Sequence, residues 1–489
     1  MDSQKLNRRP NVLLMIADDH RYGAIRANGD PVVQTPILDR LIAEGIVFDR
    51  NYHFGGLTGA VCVPARACLM TGKNPFRALA SKDLDDRAGL LTIDPALPTL
   101  PELFRQAGYT TYHIGKWHND TKSFARSFTG GAKIFLGGMS DHYRVPVHDF
   151  DPSGEYPRSA RYDGDRHSTE LFGEAAIRFL RGHDVERPFF LYLAFTAPHD
   201  PRTPPPEYAR RYDPRHIPLP ENFLPEHPFD NGDLRVRDEA LAQWPRVPEE
   251  IRQHIADYYG MITHLDAWIG HVLDALEATG QADNTIVVYT ADHGLAVGQH
   301  GLLGKQNLYE HSVRVPSIMR GPAAGARGGG LRSLPADKRV DALTYTPDLF
   351  PTLCDLAGIA IPDSVEARSL VPLLTGAEPR IRDTVFAVYK DMQRMVCDGR
   401  WKLIRYYRST HAAPPNPAVP TTPAAGAETG TDRVQLFDLA HDPWELHDLV
   451  DDTLQRGHLH RLAGELTGWQ QRTGDPMAGV PALPDIAKL

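Results

Sequence analysis

The sequence predicts an α/β protein built on a large, mainly parallel sheet, and three observations carry that reading. Apolar runs of strand length alternate with amphipathic stretches of helix length. The runs are apolar throughout, as strands covered on both faces are. Polar clusters follow directly after several runs, where the open edge of a parallel sheet builds its sites. A chain of 489 residues, 42% hydrophobic and 24% charged, suits one large domain with an appendage.

Val12 to Ala17 is the first such run. Thr35-Pro36 then opens a helix over Ile37 to Glu44, closed by Gly45. Pro64 suits the first turn of a helix from about Pro64 to Met70, which sets Cys62 at the helix mouth. Free N–H groups there favour an anion and depress a thiol pKa. Thr99 before Pro101 opens a helix ending at Gly108, followed by a strand over Tyr109 to Ile114. A helix near Ser168 to Leu180 leads to a strand over Pro188 to Phe195.

The longest helix lies within Glu249 to Thr279, where Ile251, Ile255, Tyr258, Ile262, Leu265, Ile269, Val272 and Leu276 form one apolar stripe. Gly280 stops it, Thr285 to Thr290 is the next buried strand, and a helix from Thr346-Pro347 to Gly358 closes the main domain. From about Thr384 the texture changes to shorter strands, Val385 to Tyr389, Trp401 to Tyr407 and Val434 to Leu439, with a final helix around Leu454 to Gln471. Residues 1–383 are thus expected to form the main domain and 384–489 a small antiparallel α+β subdomain. Its segment 409–433, rich in Pro, Ala, Thr and Gly, is expected to be a mobile surface loop.

A net charge of −9 with no basic run excludes a nucleic-acid footprint and directs attention to small solutes. The polar start, Met1 to Pro10, and the short apolar run after it match neither a signal core nor a membrane span. The chain as given is expected to be cytoplasmic and free of membrane, or periplasmic or secreted if a leader was removed. Cysteines 62, 68, 354 and 397 show neither a metal-type spacing nor a disulfide framework.

Asp18 and Asp19 directly follow the first strand, and Asp292 and His293 follow the Thr285 to Thr290 strand. Adjacent carboxylates repel unless a cation lies between them, so two acidic pairs at two strand ends point to a metal site. Three further clusters sit at similar joints: Gly115-Lys116-Trp117-His118, Pro198-His199-Asp200 and Gly304-Lys305-Gln306-Asn307.

Cys62-Val63-Pro64-Ala65-Arg66, followed by Thr71-Gly72, resembles the sulfatase signature whose cysteine a separate enzyme oxidises to Cα-formylglycine. Taken with the clusters above, in order, and with Phe437 to Leu446, the chain resembles a type I sulfatase of the alkaline phosphatase superfamily. The likeness is nearest to bacterial carbohydrate and aryl sulfatases and to iduronate-sulfatase-like members. It implies an alkaline-phosphatase-like fold and hydrolysis of sulfate monoesters of sugars or aryl alcohols, free or in oligosaccharides. It also implies maturation by a formylglycine-generating enzyme. Once hydrated, the aldehyde offers two geminal hydroxyls, one to attack sulfur and one to expel sulfate later.

By the same resemblance, Asp18, Asp19, Cys62, Asp292 and His293 hold a divalent cation. Calcium is the family's usual ion, and His293, in place of the commoner Asn, leaves manganese or zinc open. Arg66 faces the same site, Lys116 and Lys305 bind sulfate oxygens, His199 is the general acid and His118 the base. His142, Arg144, Arg202 and Gln306 are expected near the entrance as substrate contacts. Two alternatives accompany this reading: a phosphonate monoester or phosphodiester hydrolase of the same superfamily, and a non-catalytic binding protein with Cys62 unmodified. Oligomeric state is not legible in the sequence.

Overall fold

In the computed structural model, which describes residues 9–321, 334–411 and 427–484, eight strands form the central sheet. They are β1 (Asn11–Asp18), β2 (Ile46–Tyr52), β3 (Thr110–Lys116), β4 (Gly130–Phe135), β5 (Phe189–Pro198), β6 (Thr285–Ala291), β7 (Ser317–Arg320) and β8 (Lys338–Tyr345). Their spatial order is β8-β2-β7-β6-β1-β5-β3-β4. Only β7 runs antiparallel to its neighbours, β2 and β6; the other pairs are parallel.

Flanking the sheet are α1 (Pro36–Glu44), α2 (Cys62–Thr71), α3 (Leu100–Gln106), α4 (Ser168–Gly182), α5 (Pro248–Ala278), α6 (Leu349–Ala357) and α7 (Arg456–Thr473). The alternation of a strand divides β1 between two cores. Val12, Leu14 and Ile16 pack into a core shared with α2, α3, α6 and α7. Leu13, Met15 and Ala17 pack into the opposite core with α1, α4 and the second half of α5.

Helix ends follow local chemistry. Thr99 and Glu102 form a reciprocal capping box at α3, Pro248 with Glu249 and Glu250 opens α5, and Gly72 at φ 66° closes α2. Two boundaries differ from the sequence reading in ways that matter for chemistry. Helix α2 begins at Cys62 itself, so Pro64 is its third residue. Strand β3 runs two residues past Ile114, so Lys116 is held within the sheet.

The C-terminal sheet is an antiparallel ribbon of β9 (Val385–Tyr389), β10 (Gln393–Cys397), β11 (Trp401–Tyr406) and β12 (Arg433–Asp438). Strand β10 was not expected from the sequence. A fifth, two-residue strand comes from far upstream: Gly55–Gly56 pairs in parallel with β9. Gly55 has φ +81°, and a Cβ there would lie 1.9 Å from the Val388 carbonyl oxygen. A second tie is ionic, since buried Lys402 on β11 reaches Glu310 at 3.0 Å and Glu445 at 2.8 Å. Of the loop expected to be mobile, residues 412–426 lie outside the described residues; its base is closed by a bridge between Ser409 and Thr429. No helix among the described residues is long and apolar enough to cross a membrane.

Several histidines are held neutral inside this fold. Burial pushes His20 down to about 4 and His53 and His113 down to about 3. His113 is ringed by Trp117, Phe124, Phe128 and Tyr192.

Two outcomes are expected. Gly55→Ala should cost well above the 1–2 kcal/mol of a left-handed L-residue, because the backbone of β9 blocks its Cβ. Gly108→Ala, also at positive φ but with open space around it, should cost about 1 kcal/mol; urea midpoints compare them. Because the unfolded histidines titrate near 6.5 and the folded ones lower, stability is full above pH 6.5 and is lost as pH falls from there towards 4. Each such histidine contributes about 1.4 kcal/mol per pH unit in that window. His113→Phe should flatten that slope while leaving stability at pH 7.5 within about 1 kcal/mol.

Candidate active site

The four central strands β6, β1, β5 and β3 deliver polar groups to one edge of the sheet. Asp18 ends β1 after a register shift, and Asp19 turns the chain at φ 71°. Tyr258 of α5 pins that turn: its hydroxyl donates to the Asp19 carbonyl at 2.7 Å and accepts from the Arg21 N–H at 3.1 Å. Asp292 and His293 follow β6, Lys116 ends β3, His118 follows at φ 65°, and His199 follows β5. Cys62 joins them from the first turn of α2.

These side chains are buried and bonded to one another. Arg66, one turn along α2, donates from Nε to Asp292 Oδ2 at 2.9 Å and from Nη1 to the Lys116 carbonyl at 2.8 Å. Lys116 Nζ pairs with Asp18 Oδ2, donates to the Gly138 carbonyl at 2.5 Å and lies 3.6 Å from Cys62 Sγ. His118 Nδ1 is 3.0 Å from the same sulfur. Lys305 Nζ donates to Asp19 Oδ1 at 2.9 Å and to His199 Nε2 at 2.9 Å, while His199 Nδ1 donates to the Asp200 carbonyl at 2.7 Å.

Burial and neighbours set the charges. Burial raises the Cys62 thiol, but His118 and Lys116 outweigh it and hold the thiol well below its ordinary value. Burial likewise opposes ionisation of Asp19, yet His199, Lys305 and His293 draw it well below the carboxylate range. Desolvation would lower His293, but Asp292 and Asp19 raise it to about 10. His118 is lowered, chiefly by burial.

One ligand atom each from Asp18, Cys62, Asp292 and His293 falls within 4.8 Å of the others. Two of those atoms, Asp18 Oδ1 and His293 Nε2, are buried without a hydrogen-bond partner among the described residues. They stand 3.7 Å apart, with Asp292 Oδ1 3.6 Å from the same nitrogen. Meanwhile His293 Nδ1 is 3.0 Å from Asp19 Oδ1. Three oxygens or nitrogens facing one point, with the imidazole oriented from behind by a carboxylate, fit a divalent cation. Asp19 groups instead with Asp18 and His199.

A match to the sulfatase family model covers residues 10–359. The chain belongs to the sulfatase family. It is 27% identical to an N-acetylglucosamine-6-O-sulfatase of Bacteroides thetaiotaomicron, over 92% of this chain and 83% of that protein. It is 30% identical to mouse iduronate 2-sulfatase, over 72% and 69% respectively. Among solved structures, one in complex with its substrate D-glucosamine-2-N,6-O-disulfate superposes with a TM-score of 0.75 at 23% identity, covering 97% of this chain and 99% of that one. The phosphonate monoester hydrolase of Agrobacterium radiobacter reaches a TM-score of 0.70 at 22% identity, covering 95% and 96%. This sulfatase is accordingly a hydrolase of sulfate esters, with a metal ion and a formylglycine implied by its family.

The structure gathers Asp18, Asp19, Cys62, Arg66, Lys116, His118, His199, Asp292, His293 and Lys305 at one place. The four residues expected near the entrance separate. Gln306 is buried beside the cluster and donates to Asp238 Oδ2 and the Gly59 carbonyl. His142 is buried with both ring nitrogens engaged, by Ser168 Oγ at 2.7 Å and the His199 carbonyl at 2.8 Å, so it faces the interior. Arg202 Nη1 meets His254 Nδ1 at 3.2 Å. Arg144 is exposed and pairs with Asp163.

Arg237 and Asp238 escaped the sequence reading. Asp200 and Asp238 clasp Arg237, which is 40% exposed at the side of Lys305. Gly138 leaves room for the base candidate: a Cβ there would lie 2.6 Å from His118 Nε2. Nothing in the local pattern around Arg237 or Asp238 marks them, since they lie in a stretch without strand or long helix.

An added divalent cation should raise the thermal midpoint of the wild-type sulfatase and chelation lower it, with about 2.7 kcal/mol of stabilisation at a hundredfold excess over Kd. Asp18→Asn should abolish most of that response, as measured by scanning fluorimetry.

Proposed function

We propose that this sulfatase removes sulfate from sulfated sugars, using Cys62 after its conversion to formylglycine and a divalent cation held by Asp18, Asp292, His293 and residue 62, with Asp19 orienting His293. The observation that carries this reading is the position of Cys62: on the first turn of α2, 3.0 Å from a histidine, 3.6 Å from a lysine and within ligand range of three metal-type side chains. A cation in this site supplies Lewis acidity and a template for one sulfate oxygen. The oxygen-rich set favours calcium, and one imidazole keeps manganese in play.

Charge balance supports an anionic substrate. With residue 62 neutral after conversion and His293 ligating as a neutral imidazole, Arg66, Lys116, Lys305 and Arg237 stand against the five carboxylates of Asp18, Asp19, Asp200, Asp238 and Asp292. A divalent cation makes up the one missing charge and leaves one more to attract a sulfate monoester. Lys116 and Lys305 flank the position of Cys62 Sγ and Asp19, where they meet sulfate oxygens as point charges.

The two histidines are placed for opposite proton transfers. His199 is oriented by its Nδ1–H bond to the Asp200 carbonyl, so its Nε2 faces the cluster beside Lys305; a proton taken up at Nε2 once Lys305 turns to the sulfate is placed for transfer to a leaving alcohol. His118 presents Nδ1 to residue 62 and is held below its usual pKa, which suits a proton acceptor at that side chain. Arg66 acts through others, fixing Asp292 and the Lys116 backbone. The sugar reading rests on relatives named for N-acetylglucosamine 6-O-sulfate and iduronate 2-sulfate and on a structural neighbour holding a disulfated glucosamine.

Sulfate release from a chromogenic aryl sulfate and from glucosamine 6-sulfate, with phosphonate monoester and phosphodiester controls, tests the class. Preferred turnover of the phosphorus esters would overturn it. His199→Ala should cut kcat on the sugar sulfate by about a hundredfold to ten-thousandfold, and much less on an aryl sulfate whose leaving group needs no proton. Because Cys62 is only 2% exposed, a formylglycine-generating enzyme should convert the chain when co-expressed but fail on purified, folded, unmodified protein. Peptide mass spectrometry across Cys62 reads both arms.

A further inference from the structure

Three consecutive charged residues, Arg237, Asp238 and Glu239, each reach a different part of the active site from around the short 3₁₀ turn Glu239–Leu241. Buried Glu239 accepts from the Leu303 N–H at 2.9 Å and the Gly304 N–H at 2.8 Å, immediately before Lys305. Arg246, also buried, holds that carboxylate at 2.5 Å. Asp238 Oδ2 accepts from Gln306 Nε2 at 2.8 Å, immediately after Lys305. The lysine is thus gripped through its neighbours on both sides.

Arg237 reaches the other catalytic side chain. It meets Asp200 end on, Nη2 to Oδ1 at 2.9 Å and Nη1 to Oδ2, and Nη2 also donates to Asp238 Oδ1 at 2.5 Å. Asp200 in turn faces His199: its backbone carbonyl accepts from Nδ1 at 2.7 Å, and its Oδ1 lies 3.2 Å from the same nitrogen. Both contacts fix the imidazole from its Nδ1 edge. At the Nε2 edge the ring is held by Lys305 Nζ at 2.9 Å, and that is the hold the reaction gives up, because Lys305 turns to the sulfate when substrate enters. Orientation of the ring then rests on Asp200. Asp200 is buried, with both carboxylate oxygens bonded to the planar fork of one guanidinium.

We propose that Arg237 is a positioning residue for the leaving-group side of the reaction: by fixing Asp200, it keeps His199 Nε2 aimed at the leaving oxygen after Lys305 has let go. As the S–O bond breaks, its electron pair stays on the alcohol oxygen and the Nε2 proton goes to that oxygen. A ring free to turn about its own side-chain torsions misses the atom, and misplacement of that kind costs up to about a hundredfold in rate. Arg237 acts only through Asp200. A sugar alcohol needs the proton in order to leave, whereas an activated phenol does not, so the two leaving groups feel the aim of the ring differently. The acid role of His199 rests on the function proposed above; the chain of bonds from Arg237 to the imidazole stands on its own.

The test is the ratio of two kcat values on the formylglycine-bearing enzyme, that for a sugar sulfate the wild type turns over, glucosamine 6-sulfate first, over that for nitrophenyl sulfate. Arg237→Lys, at a side chain 40% exposed, keeps the charge but loses the fork, and the ratio should fall about tenfold or more. Asp200→Asn keeps the shape and loses the ion pair, and should move the ratio the same way; thermal midpoints check that both variants fold. In a His199→Ala background Arg237→Lys should leave the ratio unchanged to within about twofold, because the group it positions is gone. A residue that merely holds the chain together would lower both kcat values alike in either background. An unchanged ratio in the folded variants, or a fall repeated without His199, would overturn the proposal. If His199→Ala itself leaves the wild-type ratio unchanged, the acid assignment falls and this inference with it; if it lowers the ratio and the two variants do not, only this inference falls. Where the wild type prefers phosphonate monoesters, the sulfate reading falls, and the same ratio on an ethyl over a nitrophenyl ester still decides the role of Arg237.

Discussion

The site depends on burying three carboxylates at the edge of a sheet without leaving any of their charge uncompensated. Asp18, Asp19 and Asp292 are at most 1% exposed, and so is Arg66, with Lys116 at 0% and Lys305 at 4%. Isolated in such surroundings each ion would be strongly disfavoured; together they hold one another ionised. The arrangement is demanding, because removal of any one member leaves another buried and unpaired. It is also what makes the site useful. A fixed array of charge in a dry place acts on a sulfate group far more strongly than the same residues would in water.

The sheet explains why these residues can meet. Four strands adjacent in space but drawn from positions as distant as Asp18 and Asp292 end at one edge, and helix α2 brings the nucleophile position to meet them. The edge is firm because β1 is buried on both faces by different helices. Fine adjustment comes from conformations that L-residues seldom adopt: Asp19 and His118 both have positive φ. Strain of that kind is kept where a side chain must be aimed.

Much of this was legible in the residues, and the limits have physical causes. Continuous apolar runs announced β1, β5 and β6, and the polar residues immediately after them proved to be the site. Strands β2 and β8 were invisible because Asp49, Arg50 and Asn51 interrupt one and Lys338, Arg339 and Asp341 the other, as suits strands nearer the sheet margin. Strand β10 hid because it opens with Gln393 and Arg394, whose polar ends are satisfied inside: Arg394 is bonded to Asp475. Periodicity reports apolar burial and is blind to polar burial. For the same reason Arg237 and Asp238 went unread, while His142, expected near the entrance, is consumed by bonds to Ser168 and the His199 backbone. Three-dimensional pairing decides such residues, and no local pattern encodes it.

The seam between Gly55–Gly56 and β9 has a consequence for what counts as a unit in this molecule. The match to the sulfatase family model ends at residue 359, yet the two glycines that lead into α2 complete their backbone pairing with a strand that begins at Val385. The recognisable stretch is therefore not self-sufficient. The segment leading into its reactive turn is completed by a strand more than three hundred residues downstream, so a fragment ending at residue 359 would leave the Gly55–Gly56 backbone unpaired.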